Sequence, residues 1–258
     1  MKLRQLASYG PAFVLTASIF LSWELYVRAG LINVYVLPAP SAVLQALVEN
    51  WDVLLGHTIQ TALETVLGLM AATLLGLCLA VVLDLSTWIR KAVYPLLVIS
   101  QTIPMIALAP LLVIWFGLDL GPKVIVVTLY CFFPIAVSVA DGLAGVDPDL
   151  IRLMQSMRAS RWQILWLVRL PAALPSFFSG LRIAATYSMT GAIFGEYVAA
   201  YQGLGLYMKT AANAHAIVIV FAAIFVTAFV SLLLFSFVNL IEWIALPWYH
   251  ASRSKPAR

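Results

Sequence analysis

The chain has 258 residues, 63% of them hydrophobic and 10% charged, with a net charge of +4 and a mean hydropathy of +1.00. Soluble domains carry about a quarter charged residues, which excludes a water-soluble enzyme or nucleic-acid-binding module. Apolar runs of about 20 residues recur along the whole length, the pattern of a polytopic membrane protein.

The runs predict an all-α fold of about six transmembrane helices, at roughly 9–28, 59–83, 93–116, 123–145, 177–200 and 217–243. Lys2 and Arg4 precede the first run as in a secretory signal. That run is too long for one, however, holds Trp23 and Glu24, and lacks a small-residue cleavage site, so it reads as a retained helix. In the segment 32–57, "LPAPS" reads as an extended turn, with Ser41 placed to cap a short interfacial helix through Trp51. Cys78 and Cys131 both fall in apolar runs, which argues against a disulfide framework and a cysteine-based metal site.

The third run contains "SQTIPMIALAP". Proline removes a backbone hydrogen bond, so Pro104 and Pro110 predict a kinked helix with Gln101, Thr102 and Met105 close to mid-membrane. Such residues suit a translocation surface, and packing against a neighbouring helix accounts for them almost as well. Tyr187 and Met189 in the fifth run carry the same two readings, and "GAIFG" (191–195) has the Gly-xxx-Gly spacing of close helix packing. Glu24, Glu64 and Glu196 fall toward one end of their runs and Asp84, Asp141 and Glu242 toward the other, where long acidic side chains reach the interface. Glu196 stands apart. It follows Gly191 and Gly195 and precedes the turn Gly203-Leu204-Gly205, a setting for a residue that holds an outer gate or lines the pathway.

Between the fourth and fifth runs, residues 146–176 carry strong start signals for helices. Asp147 is an N-cap, Pro148 occupies the first helical position and Asp149 the first turn. Leu150, Leu153, Met154 and Met157 share one face, with Arg152, Gln155 and Arg158 away from it. After Ala159, the stretch from Ser160 to Gln163 is a capping box that opens a second short helix, expected to end against Pro171. Trp162 and Trp166 with the arginines suit anionic headgroups. Two well-started amphipathic helices with a Met/Leu stripe suit docking into a groove on another protein better.

Orientation follows from the basic residues. With the N-terminus inside, Lys2, Arg4, Arg90, Lys91, Arg152, Arg158, Arg161, Arg169, Arg182, Arg253, Lys255 and Arg258 are cytoplasmic, whereas Arg28, Lys123 and Lys209 are outside. Both termini are then cytoplasmic. The chain contains no G-x-x-x-x-G-K-[ST], HExxH or Gly-x-Ser-x-Gly motif, and His57, His215 and His250 are scattered near membrane ends. No catalytic constellation and no cofactor or metal site of its own is expected.

"ASRWQILWLVRLPAALPSFFSGLR" (159–182) resembles the cytoplasmic signature loop of binding-protein-dependent ABC transporter permeases, through Leu170-Pro171, Leu174-Pro175 and Gly180. Arg152-Leu153-Met154 stands where that pattern has Glu-Ala-Ala, and Arg158 stands at its usual glycine. "VLPAPSAVL" (36–44), "IALAPLLVIWFGLDLGPKV" (106–124) and "GEYVAAYQGLGLYM" (195–208) resemble the branch that handles sulfonates, taurine, nitrate and thiamine or riboflavin precursors. The resemblance implies a single transmembrane permease domain over 1–258, of the type I importer kind, in a bacterial inner membrane and pairing with a second copy of itself. It implies a cytoplasmic ATP-binding subunit that carries Mg-ATP, and an extracytoplasmic solute-binding protein. The loop becomes a coupling helix, with Asp149, Arg152, Leu153, Met154, Met157, Arg158, Ala159, Ser160 and Trp162 facing the ATPase. The substrate expected is a small vitamin precursor, such as the thiamine pyrimidine or riboflavin, ahead of taurine, a sulfonate or nitrate. A proton-coupled carrier using Glu64 or Glu196 as relay is the rival from another class.

Overall fold

The computed structural model describes residues 2–198 and 200–249, with side chains from residue 10 onward. His250, Arg253, Lys255 and Arg258, and the side chains of Lys2 and Arg4, lie outside the described residues.

The chain runs α1 (Lys2–Arg28), α2 (Pro40–Glu49), α3 (Trp51–Leu85), α4 (Thr87–Ser100), α5 (Met105–Phe116), α6 (Leu120–Ala144), α7 (Pro148–Ser156), α8 (Arg161–Ile164), a π-helical turn (Leu165–Arg169), α9 (Leu170–Val198), α10 (Leu204–Asn213) and α11 (Ile217–Ala245). Among the described residues, five helical stretches are long and apolar enough to cross a bilayer, and the bent pair α4–α5 makes a sixth. These correspond to the six runs.

α6 is the central helix, packed between α3 and α9, and Ala72, Val127, Ile135 and Ala184 are fully buried at the contacts. Lipid tails are as apolar as leucine, so helix contacts in a membrane depend on close approach of backbones over small residues. Gly191 and Gly195 supply that approach: a Cβ on either would sit 3.2 Å from the Cα of Val127 or of Lys123. A second cluster joins α2, α3, α9, α10 and α11 through Val43, Leu54, Met189, Leu204 and Ala222. Trp23 of α1 lies against Phe221 and Phe225 of α11.

Three local expectations are corrected. The third run is not one kinked helix. α4 and α5 meet at 97° across residues 101–104. Pro104 offers no N–H and drives the residue before it out of the helical region. The freed carbonyls are closed locally by the Ser100 hydroxyl on Leu97 O (2.8 Å) and the Thr102 hydroxyl on Ile99 O (2.7 Å). Ser41 does not cap α2, which starts at Pro40 and ends at Glu49, short of Trp51. Ser41 donates its N–H (3.0 Å) and its hydroxyl (2.7 Å) to Glu24 of α1, which satisfies the first turn of α2 from outside.

The second loop helix does not stop at Pro171. It continues without interruption into the fifth span, as residues 161–198. The π turn explains this. Leu170 N–H bonds to Leu165 O, one residue beyond the usual α partner, which widens the helix just where the Pro171 ring would meet the preceding turn.

α7 starts as the sequence implied, with the Asp147 carboxylate accepting from Asp149 N–H (2.9 Å), and Ser160 and Gln163 form the capping box. Its other end shows what stands at the usual glycine. Arg158 adopts φ +60°, with Arg158 N–H bonded to Gln155 O (2.9 Å) and Ala159 N–H to Met154 O (3.0 Å). This is a Schellman end, which favours glycine at the left-handed residue. A non-glycine residue there costs about 1–2 kcal/mol. Arg158→Gly is therefore expected to stabilise the turn by up to about 1 kcal/mol after glycine's extra freedom in the unfolded chain is subtracted, read as slower amide exchange at Ala159. Arg158→Ala should give no such gain.

Candidate functional site

Five acids within the spans are paired with cations. Glu24 pairs with Arg28 (2.5 Å), Glu64 with Lys123 (3.6 Å), Asp84 with Arg169, Asp141 with Arg90 (3.8 Å) and Glu242 with Arg182 (3.3 Å). A lone charge at membrane depth costs about 2.5–3.5 kcal/mol on insertion scales, and a cation beside each of these five acids offsets that cost. Glu196 is fully buried and makes no ion pair with a described residue.

Neutral donors hold Glu196 instead. The Thr61 hydroxyl of α3 donates to Oε1 (2.6 Å), and Gly205 N–H at the start of α10 donates to Oε2 (2.5 Å). Leu204 N–H reaches Thr61 Oγ1 (2.8 Å), and Gly203 N–H reaches His57 Nδ1 (3.0 Å). Three successive N–H groups that a helix start leaves unsatisfied thus go to three side chains from α3 and α9, and the carboxylate lies where the helix dipole favours negative charge. Gly203, at φ +137°, and Gly205 make room: a Cβ on Gly203 would fall on the carboxyl group, and one on Gly205 would sit 2.7 Å from Ile193 O.

Beside it, Glu64 accepts from Gln60 (2.8 Å) and faces Lys123, whereas its Oε2 has no hydrogen-bond partner. Both members of that pair are buried, with side-chain exposures of 0% and 5%. Breaking a buried pair from one side strands the other charge, at a cost of about 3 kcal/mol or more. Lys123→Met is expected to be the more damaging single change, and adding Glu64→Gln should restore much of the loss. A double-mutant cycle on thermal unfolding in detergent tests this, and additive losses would contradict it.

The structure does not bring the expected pathway residues together. Gln101 and Thr102 are exposed at the α4–α5 break, Met105 packs half-buried against the main core, and Met189 is buried with its Sδ 3.2 Å from the Thr65 hydroxyl. Tyr187 is exposed and shares a stripe of α9 with Ile183, Thr186 and Thr190. Next to that stripe lies a groove of about 500 Å³ between α9 and α11, which adds Tyr197, Thr227 and Ser231. Thr186 and Thr190 were missed in the sequence, although their spacing from Tyr187 and Ile183 marks one helix face. Lys123, Thr61 and His57 were missed as members of the buried cluster.

At the opposite end, α7 has no buried residue. Leu153 (57% exposed) and Met157 (72%) stand out with Leu150, Asp149 and Arg152 are ion-paired on the surface (3.0 Å), and Met154 is half-buried. Arg158, Ser160 and Trp162 are exposed and Ala159 is half-buried, so the nine residues expected to face a partner lie together on one end of the molecule.

Residues 65–243 match the family model of the binding-protein-dependent transport system inner membrane component. The chain belongs to this family. It is accordingly a multi-pass component of an inner membrane. A probable ABC transporter permease protein of Haemophilus influenzae is 38% identical over 91% of this chain and 94% of its own. The formylaminopyrimidine transport permease protein of Halalkalibacterium halodurans is 36% identical, with 88% and 90% covered. The taurine transport system permease protein of Escherichia coli is 32% identical, with 88% and 85% covered. The permease fold also matches a chain of an inward-facing MetNI methionine ABC transporter, at a TM-score of 0.67 and 20% identity, covering 75% of this chain and 96% of that one.

Proposed function

We propose that the chain is the membrane-spanning subunit of an ATP-driven importer. It works as a pair of copies on two cytoplasmic ATP-binding subunits, and a solute-binding protein delivers to its outer face. The observation that carries this reading is α7: a helix capped at both ends, with its Leu/Met stripe turned outward and none of the described residues covering it. Such a face suits a groove on another protein. ATP, bound to the partner, drives closure of the ATP-binding subunits; this chain's part is to take up that movement at α7. The α8–π–α9 helix, continuous from Arg161 to Val198, is a rigid arm from the coupling helix to the Glu196 clamp at the far end.

In this reading the α7 end is cytoplasmic and the α10 end is outside. The clamp of Glu196, Thr61 and Gly203–Gly205 holds the outer ends of α3, α9 and α10 as one body, and the hydroxyl-lined α9–α11 groove faces the solute. No lysine or arginine lines that groove, which supports a neutral heterocycle, of the vitamin-precursor kind, over taurine, a sulfonate or nitrate. The relationship to the formylaminopyrimidine permease points the same way.

Proteoliposomes holding the whole complex, with ATP in the lumen on the ATPase side, test this. ATP-dependent uptake of a labelled aminopyrimidine is the expected outcome. ATP-dependent uptake of taurine alone would overturn the substrate. Uptake driven by a proton gradient without ATP would overturn the importer and move Glu64 and Glu196 to the centre.

A further inference from the structure

We propose that the α7 end carries a binding site for one anionic phospholipid, with an acyl chain in an apolar groove and the phosphate on Arg161 and Arg169. The groove, about 750 Å³, lies between the last turns of α3 and the helix from Trp162 to Phe177. Leu77, Val81 and Leu85 form one wall, Trp162, Trp166 and Leu174 the other, and no charged side chain lines it. A polar cavity of about 340 Å³ shares Leu85 with it and is lined by Asp84, Ser86, Thr87, Gln155, Arg161 and Arg169. The two cavities interleave along the same helices. Arg161 and Ile164 line the polar one, Trp162, Leu165 and Trp166 the apolar one. An amphiphile lying along α3 would meet apolar walls first and a cationic floor next.

The charge and hydrogen-bond balance of the floor specifies the headgroup. Asp84 neutralises Arg169, and Arg161 makes no ion pair with a described residue, which leaves one positive charge uncompensated. Arg169 Nε is a buried donor without a partner, and buried donors are normally satisfied. The Thr87 hydroxyl has no bond of its own among the described residues, and Ser86 retains a hydroxyl proton beyond the bond its oxygen accepts from Ile89 N–H. A phosphate diester provides both the negative charge and the acceptors. An apolar helix from a second copy would fill the groove and leave these donors empty. The dimensions agree as well. From Cys78 to Leu85 α3 rises about 10 Å, within the roughly 15 Å of one leaflet's hydrocarbon, and the exposed Trp88, Trp162 and Trp166 that line the two cavities are the residue type that favours the membrane interface. The polar cavity is also walled by Ile151 and Gln155 of α7, so the lipid would sit directly behind the proposed coupling helix.

The test is native mass spectrometry of the intact complex released from nanodiscs with equal phosphatidylglycerol and phosphatidylcholine. One phosphatidylglycerol per copy of this chain should be retained, about fivefold over phosphatidylcholine, as expected for about one added basic contact. Arg161→Ala should bring the two lipids to parity. Lys91→Ala, which removes an exposed charge outside the cavity at the same end, should leave the preference intact. Cys78 lines the groove and is exposed, whereas Cys131 is buried. A bulky maleimide on Cys78 should therefore release the lipid in the unmutated chain. Equal retention of both lipids, or retention indifferent to both Arg161→Ala and Cys78 blocking, would overturn the proposal. Displacement of the lipid by millimolar inorganic phosphate, with a phosphate adduct in its place, would overturn it in favour of a free-anion site.

Discussion

Glu196→Ala is expected to destabilise the protein by about 3 kcal/mol or more, read as a fall in the thermal unfolding midpoint of the complex in nanodiscs. Each hydrogen bond to the buried carboxyl group contributes about 0.5–1.5 kcal/mol, and a buried donor left empty costs about 1–3 kcal/mol. Alanine would strand the buried Gly205 N–H, leave the Thr61 hydroxyl only its longer bond to His57 O (3.1 Å), and open a cavity at the start of α10. Gly203→Ala should reproduce the loss from the other side, because a Cβ would occupy the carboxyl's place at a φ of +137°. Glu196→Gln, which keeps an acceptor for one of the two donors, should recover part of it. The pattern separates a clamp from a relay. A clamp makes Gly203→Ala as harmful to transport as Glu196→Ala, whereas a proton relay makes Glu196→Gln inactive while leaving it stable.

Leu153→Glu is expected to abolish ATP-driven uptake and to release the ATP-binding subunit, with the unfolding midpoint of this chain unchanged. Leu153 is 57% exposed and α7 contributes no buried residue, so a carboxylate there disturbs nothing inside the chain. On a docked face it would lie desolvated in an apolar groove, and an unpaired buried charge costs several kcal/mol. Pull-down of the partner and uptake in proteoliposomes read the effect, which should exceed tenfold in both. A variant that still binds its ATPase and still transports would move the docking face elsewhere.

Much of this molecule is legible in the sequence, because membrane helices state their lengths openly. Each apolar run became a helix or, at 93–116, a bent pair, and Asp147 and Ser160 capped the helices they were expected to cap. Two of the failures share a cause. Proline signals a missing hydrogen bond, and the surroundings decide what replaces it. At Pro104 the helix broke, and the Ser100 and Thr102 hydroxyls closed off the broken end. At Pro171 a widened turn absorbed the same defect and the helix continued. Lys123 looks like a loop cation just after Gly-Pro. Its Cα packs against Gly195, and its side chain turns inward to Glu64. Glu196 stands out in the sequence by its glycines, but its partner Thr61 is 135 residues away and no local pattern announces it.

The importer account is tested most directly by extracting the chain gently from its own membrane and determining what accompanies it, and in what ratio. The account predicts one ATP-binding subunit per copy of this chain, two copies of each in the particle, and loss of the partner on Leu153→Glu. A chain that runs without any ATP-binding partner, in vesicles that take up solute on a proton gradient alone, would contradict it.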